Sequence, residues 1–289
     1  MHIVTDSGVD LSLSPEEQRA LRIRVVPLTV QLEGRSYREG LDITADEFYR
    51  RLVESGAMPT TSQPSPGDFE AVYRELASED PEILSIHLSS GLSGTFNSAR
   101  TAAQAVPSAK VTLVDTKTLS AGAGWQVEAA ARALKAGWPV QAVVEMVHRI
   151  QQQTHSFFTL RELKYLIHGG RISHMKGLVA SVLDIKPMIG VENERGTYVQ
   201  MGQARSFAAA IRGLAELPGK FIPRGSAVRA QVAHASSPEV AEELRQAATK
   251  LFECTWRATG RLSLVLGAHT GPSMVGLAVA PQAAFADVP

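Results

Sequence analysis

The stretch that decides the fold runs Ile83-Leu84-Ser85-Ile86-His87-Leu88-Ser89-Ser90-Gly91-Leu92-Ser93-Gly94-Thr95-Phe96-Asn97-Ser98-Ala99. Ile83 to Leu88 is a short apolar run that reads as a buried strand, and the glycine-serine segment after it breaks the pattern. Thr95 to Val106 then reads as a helix and Val111 to Val114 as the next strand. Strand, hydroxyl-rich loop, helix, strand is the order that builds a parallel sheet covered on both faces. Toward the N-terminus the same alternation continues. Ile3 to Thr5 and Ile23 to Val30 are strand-like, and Thr44-Ala45-Asp46-Glu47 is a capping box opening a helix through Phe48, Leu52 and Val53. Ser65-Pro66 starts another helix, with Phe69, Val72, Tyr73 and Leu76 on one face. On the other side, Val127 to Leu134 and Val140 to Ile150 read as helices.

At Gln151-Gln152-Gln153 the composition shifts, which predicts units 1–153 and 154–289. Asn193-Glu194-Arg195-Gly196 lies between Lys186 to Val191 and Thr197 to Met201 and reads as a hairpin turn. Ser206 to Leu217 and Pro238 to Phe252 are amphipathic, while Ala227 to His234 and Leu262 to Leu266 read as strands, so the second half is α/β with a mixed sheet. Leu262 to Ala286 carries no Asp, Glu, Lys or Arg and is long enough to cross a bilayer. His269, Thr270, Gly271-Pro272 and Pro281 interrupt it, so the expectation is two short buried strands around a polar loop.

Composition narrows the function. The chain has 289 residues, 29 basic and 29 acidic side chains and a formal net charge of zero, which removes a general pull toward nucleic acid or anionic membrane. With 44% hydrophobic and 20% charged residues the chain is globular in composition. Cys254 is its single cysteine, so neither an internal disulfide nor a thiolate metal cluster can form. With the start Met1-His2-Ile3-Val4-Thr5-Asp6, this points to the reducing cytoplasm.

Hydroxyl-rich loops recur beside the strands: Thr5-Asp6-Ser7-Gly8, Thr60-Thr61-Ser62-Gln63-Pro64-Ser65, Ser89 to Thr95, and Thr116-Lys117-Thr118-Leu119-Ser120. In open α/β sheets ligands bind at the carboxyl ends of strands, where such loops converge. Each loop alone is more simply read as helix capping. Ser93-Gly94-Thr95 opens a helix, so its N–H groups and dipole favour a carboxylate or phosphate. An enzyme with Ser93 as nucleophile and His269 as base, acting on an acyl or phosphoryl substrate, is the competing reading. It is weakened because Gly91-Leu92-Ser93-Gly94-Thr95 fails the G-x-S-x-G elbow at Thr95. His168-Gly169-Gly170-Arg171 reads as a glycine helix terminus followed by an arginine suited to an anion. His269-Thr270-Gly271-Pro272, placed between two apolar strands, offers an imidazole donor. Gly122-Ala123-Gly124 lacks the rest of a dinucleotide fingerprint, no P-loop is present, and the histidines show no metal-ligand spacing, so no cofactor or metal is expected.

Together these residues resemble the DegV family of fatty-acid-binding proteins, which includes the FakB-type acyl-presenting subunits of bacterial fatty acid kinase. The resemblance runs through Thr5-Asp6-Ser7, Val26-Pro27-Leu28, Pro59 to Pro64, Ser89 to Thr95, Gly169-Gly170-Arg171-Ile172, Ile185-Lys186-Pro187 and His269-Thr270-Gly271-Pro272. It departs where Ser273 stands in place of a common glycine and Thr116 in place of a common serine. It implies an N-terminal three-layer α/β/α domain with a mainly parallel sheet and a C-terminal α/β domain with a mixed sheet. A long-chain fatty acid such as palmitate, stearate or oleate would be the ligand, with no catalytic residue in this chain. Thr61, Ser62, Ser93, the Gly94 amide and His269 would hold the carboxylate, with Arg171 near the head group. A separate ATP-dependent kinase would make the acyl phosphate for phospholipid synthesis, with at most transient contact at a membrane surface. Phe157, Leu178, Val182, Ile189 and Val265 are candidates for the acyl pocket, though residues of this kind are more often ordinary core.

Overall fold

Strand β1 (His2–Asp6) turns Ile3 to one face of its sheet and Val4 to the other, and that alternation sets two of the layers. The structure is a computed structural model and describes residues 1–172, 175 and 185–289. Helix α1 (Pro15–Ala20), begun by a Ser14–Glu17 capping box, returns the chain to β2 (Ile23–Val26), which lies parallel to β1. Pro27, which has no N–H to give a ladder, ends that strand. The expected single strand from Ile23 to Val30 is therefore two, and β3 (Thr29–Leu32) turns away to pair with β4 (Arg35–Arg38). Helix α2 (Ala45–Ser55), capped by Thr44, follows.

The segment Thr60 to Ser65, expected as a loop, begins instead with strand β5 (Thr60–Ser62), antiparallel to β3 with Thr61 opposite Val30. Helix α3 (Pro66–Ala77), strand β6 (Glu82–His87), helix α4 (Thr95–Ala105) and strand β7 (Lys110–Asp115) complete the N-terminal half. The main sheet has the order β2-β1-β6-β7, all parallel. On the Val4 face, Phe69, Tyr73 and Leu76 of α3 pack with Ala99 and Ala102 of α4. On the Ile3 face lie α5 (Ser120–Lys135) and α6 (Val140–Gln153), so the three-layer α/β/α arrangement is present.

Strand β8 (His155–Thr159) opens the second half, followed by α7 (Lys164–His168), β9 (Lys186–Val191) and β10 (Tyr198–Ala204), the last two forming the expected hairpin. Helix α8 (Phe207–Glu216), β11 (Ala227–His234), α9 (Pro238–Thr249), β12 (Glu253–Trp256), β13 (Gly260–Arg261), α10 (Leu264–Thr270) and β14 (Val275–Pro281) follow. The sheet order is β10-β9-β8-β14-β11-β12 with β13 beside β11. Strand β11 is parallel to β12 and β13 and every other pair is antiparallel, so the sheet is mixed. Its outer face is buried by Phe207, Ile211 and Leu214 of α8 with Val240 and Leu244 of α9. Its inner face meets α5 and α6, and Trp125 Nε1 of α5 donates to Gln231 Oε1 of β11 at 3.0 Å. One helical layer thus serves both sheets, and a single apolar core passes through it.

The expectation of a strand over Leu262 to Leu266 is corrected. Leu264–Thr270 is helix α10, with His269 in its last turn rather than in a loop between strands. Two groups decide this: the Ser263 hydroxyl accepts from Leu266 N at 3.4 Å, and the Glu39 carboxylate, far upstream, accepts from Leu264 N. Of the two expected strands only the second, β14, is present. Among the described residues no helix is long and apolar enough to cross a membrane.

Candidate ligand-binding site

Beyond the carboxyl ends of β2, β6 and β7, beside β5 and α10, lies a cavity of about 290 Å³. Its polar walls are Thr61, Ser62, Gln63, Ser93, Arg171 and His269, and its aliphatic walls are Leu28, Leu88, Leu92, Leu119, Val265 and Leu266, with the Tyr198 ring closing one side. Thr61 reaches it from β5 and His269 from α10, and Thr61 Oγ1 lies 2.8 Å from His269 Nε2. The imidazole is buried, its Nδ1 has no hydrogen-bond partner among the described residues, and it packs directly on the α-carbon of Gly169. Burial first, then the positive charge of Arg171 and His168, pushes its pKa down to about 4, so it is neutral near pH 7. A proton on Nε2 avoids a buried N–H without an acceptor. It also makes His269 the donor to Thr61, whose own hydroxyl proton is then free for a ligand.

Ser93 comes from the loop after β6. Its Oγ accepts from Thr95 N at 3.3 Å and lies 2.9 Å from Thr95 Oγ1, which fixes the hydroxyl at the start of α4. Gly94 is the N-cap residue of α4. It is not among the cavity walls; its α-carbon lies against the side-chain amide of Gln63, which donates to Ser98 Oγ at 3.1 Å. Arg171 follows the glycine terminus of α7, where Gly170 adopts φ +73°. Its guanidinium donates to Gly169 O at 2.7 Å and Leu92 O at 3.3 Å, tying α7 to the Ser93 loop, and the side chain lines the cavity. Burial raises the Tyr198 phenol well above its ordinary value, so this wall is uncharged too.

Ser93 and His269 share no hydrogen bond: the serine bonds within its own turn and the imidazole bonds Thr61. The nucleophile–base pairing that the enzyme reading requires is not made. The hydroxyl loops also converge only in part. Thr5, Thr116 and Thr118 are buried, and Thr116 Oγ1 donates to Thr118 O, the capping-type role. The fourth loop supplies Leu119 instead of a hydroxyl. Gly122 and Gly124 sit within α5, where added side chains would strike Ser156 and the Asp10 carbonyl, so these glycines serve close packing. Sequence reasoning missed Gln63, Tyr198 and the leucines. Gln63 stood inside a motif already singled out; the others carry no signal beyond apolarity.

Leu119 also lines a second, smaller cavity of about 40 Å³, walled by Phe157, Phe158, Val191, Met274 and Leu277. Of the acyl-pocket candidates, Val265 lines the first cavity and Phe157 the second. Ile189 is fully buried core and lines neither, and Leu178 and Val182 lie outside the described residues.

A family model described as "Uncharacterised protein, DegV family" matches residues 1–282. The chain belongs to the DegV family. A DegV domain-containing protein of Staphylococcus aureus is 37% identical over 277 residues, covering 96% of this chain and 97% of that one. One from Deinococcus radiodurans is 35% identical over 285 residues, covering 98% and 99%. The fold matches a fatty-acid-binding DegV protein of Thermus thermophilus with a TM-score of 0.85, 34% identity and coverage of 97% and 99%. It also matches DegV of Bacillus subtilis, a fatty acid binding protein, with a TM-score of 0.85, 28% identity and coverage of 97% and 99%.

Proposed function

We propose that this DegV protein is a cytoplasmic carrier that binds one long-chain fatty acid, palmitate, stearate or oleate, with its carboxylate in the 290 Å³ cavity. Thr61, Ser93 and His269 hold the carboxylate, with Ser62 and the Gly94 amide adjacent and Arg171 beside it. One observation carries the reading: the Thr61–His269 pair and the Ser93 hydroxyl line a cavity that also has the aliphatic walls Leu28, Leu88, Leu92, Leu119, Val265 and Leu266. Hydroxyl donors bond a carboxylate more strongly than a neutral partner, contributing roughly 1.5–3 kcal/mol each. Each buried CH₂ adds about 0.8 kcal/mol, and the acyl chain continues past Leu119 toward the Phe157 cavity. Units 1–153 and 154–289 then supply the head-group loops and most of the chain pocket. The carrier presents the carboxylate to a separate ATP-dependent kinase, and Arg171 steadies the charge that grows on phosphorylation.

Native mass spectrometry of the purified protein, with organic extraction of what co-purifies, tests the binding. A fatty acid near one per chain is expected. Absence of lipid together with failure to take up added palmitate or oleate refutes it.

A further inference from the structure

Glu39 follows β4 and lines a surface cavity with Leu264 at the start of α10, whereas the head-group cavity takes its walls from Val265, Leu266 and His269 of the same helix. One carboxylate oxygen accepts from Leu264 N, the first residue of α10, and the other accepts from Ser7 Oγ at 2.9 Å. Ser7 Oγ in turn accepts from Leu28 N at 2.9 Å, and Glu39 N donates to Leu28 O at 3.0 Å. This one side chain therefore joins the loop after β1, the turn into β3 and the start of α10. Each of the last two carries cavity walls: Leu28 on one, and Val265, Leu266 and His269 on the other. From Leu264 to His269 is about 7.5 Å along the helix, so a slip at its start moves the imidazole off Thr61. Asp10 repeats the arrangement beside it, receiving Ser120 Oγ one residue after the wall residue Leu119.

We propose that Glu39 is a positioning residue for the head-group cavity, fixing α10 against Ser7 and Leu28 so that His269 meets Thr61. The proposal rests on the carboxylate reading of that cavity and adds the part that sets its geometry. The groups facing Glu39 are Asp10 from the loop after β1, Tyr49 from α2 and, at the rim of a 590 Å³ surface cavity, Arg261 of β13, itself paired with Asp46 at 2.9 Å. Glu39 and Asp10 have no cationic partner within ion-pair distance among the described residues. Burial, with a smaller contribution from Asp10, pushes Glu39 up to about 8. Near neutrality Glu39 is thus a protonated acid that keeps the same two contacts by accepting from Leu264 N and donating its own O–H to Ser7 Oγ, and raising the pH reverses the Ser7 bond and puts a second negative charge beside Asp10.

The test measures palmitate affinity in Glu39→Gln and Glu39→Ala together with the 15N signals of the His269 imidazole, which report the Thr61 bond with or without ligand. Glutamine preserves both contacts, its carbonyl accepting from Leu264 N and its amide donating to Ser7. Binding within threefold of wild type is expected for it, with no weakening from pH 7 to pH 9, where wild type weakens. Alanine is expected to bind about tenfold more weakly and to shift the imidazole signals. If Glu39→Ala does not fold, Ser7→Ala replaces it, with the same direction expected. An unchanged imidazole signal in the alanine variant, or a pH response in Glu39→Gln equal to wild type, overturns the proposal. Failure of wild type to bind palmitate at all overturns the carboxylate reading instead, and the imidazole signals still decide the positioning role.

Discussion

Replacing Gly169 by alanine separates the site's geometry from the fold's stability. Gly169 has ordinary helical angles, φ −72° and ψ −6°, so alanine meets no backbone strain there. Through the unfolded chain alone the change favours folding by about 0.4–1 kcal/mol. The new methyl group, however, falls well inside contact distance of His269 Nδ1 and touches Tyr165 O. The ring must swing toward the cavity, which breaks its 2.8 Å bond to Thr61 and fills space that the proposed carboxylate would occupy. A buried hydrogen bond broken with its partner left unsatisfied costs about 1–3 kcal/mol, or roughly 5- to 150-fold in affinity. Palmitate titration and thermal unfolding of the same preparation are the assays. The expected result is a dissociation constant raised by about tenfold or more, with Tm within a few degrees of wild type. Gly170→Ala is the control: its φ is +73° and nothing lies within 4 Å of the added carbon, so stability falls by about 1–2 kcal/mol while affinity holds. Wild-type affinity in Gly169→Ala refutes the claim that His269 acts from its observed position.

Ser93→Ala removes a proposed donor to the carboxylate and should weaken palmitate binding by about 10- to 100-fold in the same titration, with little change in Tm; an affinity within twofold of wild type removes Ser93 from the site. The His269 imidazole, lowered to about 4 in the folded chain from 6.5 unfolded, contributes stability that is complete above pH 6.5 and lost as the pH falls toward 4. The loss is of order 3 kcal/mol, so urea unfolding of His269→Gln between pH 7 and pH 4 should show a flatter acid limb. His155, also pushed down to about 4 by burial, titrates in the same window, and its replacement should flatten the limb further. Leu119 lines both cavities, so Leu119→Trp adds bulk on the proposed chain path and should weaken palmitate more than octanoate, read as the ratio of the two dissociation constants; an unchanged ratio refutes a chain path past Leu119.

The parallel sheet was legible because its signals are local. Ile83 to Leu88 and Val111 to Val114 are strand-length apolar runs bounded by breakers, and the cap residues Ser65 and Thr44 mark their helices. Ala227 to His234 and the Lys186 hairpin were legible for the same reason. What escaped was set at long range. Thr60-Thr61-Ser62 has the composition of a loop and becomes a strand only because β3, freed by Pro27, offers it an edge. Leu264 to Thr270 is equally apolar as helix or strand, and the choice falls to a cap by Ser263 and a carboxylate from Glu39. In the site, hydroxyls and the histidine stood out because polar groups beside apolar runs need a reason. Leu28, Leu88 and Leu119 did not, since a leucine lining a cavity and one in the core are the same letter.

The same point bears on chemistry. Inside the first sheet, Asp6 Oδ2 lies 2.9 Å from His87 Nδ1, His87 Nε2 lies 2.7 Å from Ser85 Oγ, and Ser85 lies 2.8 Å from Tyr73 OH. This has the connectivity of an acid, a base and a nucleophile. Yet Asp6, Ser85 and His87 have no exposed surface, and the aromatic ring of Phe69 stands 5.0 Å from the imidazole. No substrate reaches the serine, so the chain of bonds does structural work. Asp6 also accepts from Gly8 N and Leu88 N, and it thereby holds the start of the Ser89–Thr95 loop where Leu88 and Ser93 meet the cavity. Ser93 has the opposite combination: it is accessible from the cavity but has no base beside it. A hydroxyl with access and without a base donates to a ligand, whereas one with a base and without access only braces the sheet. The two halves of a hydrolase occur in this chain in different places, which agrees with the proposed carrier role, in which the ligand leaves intact.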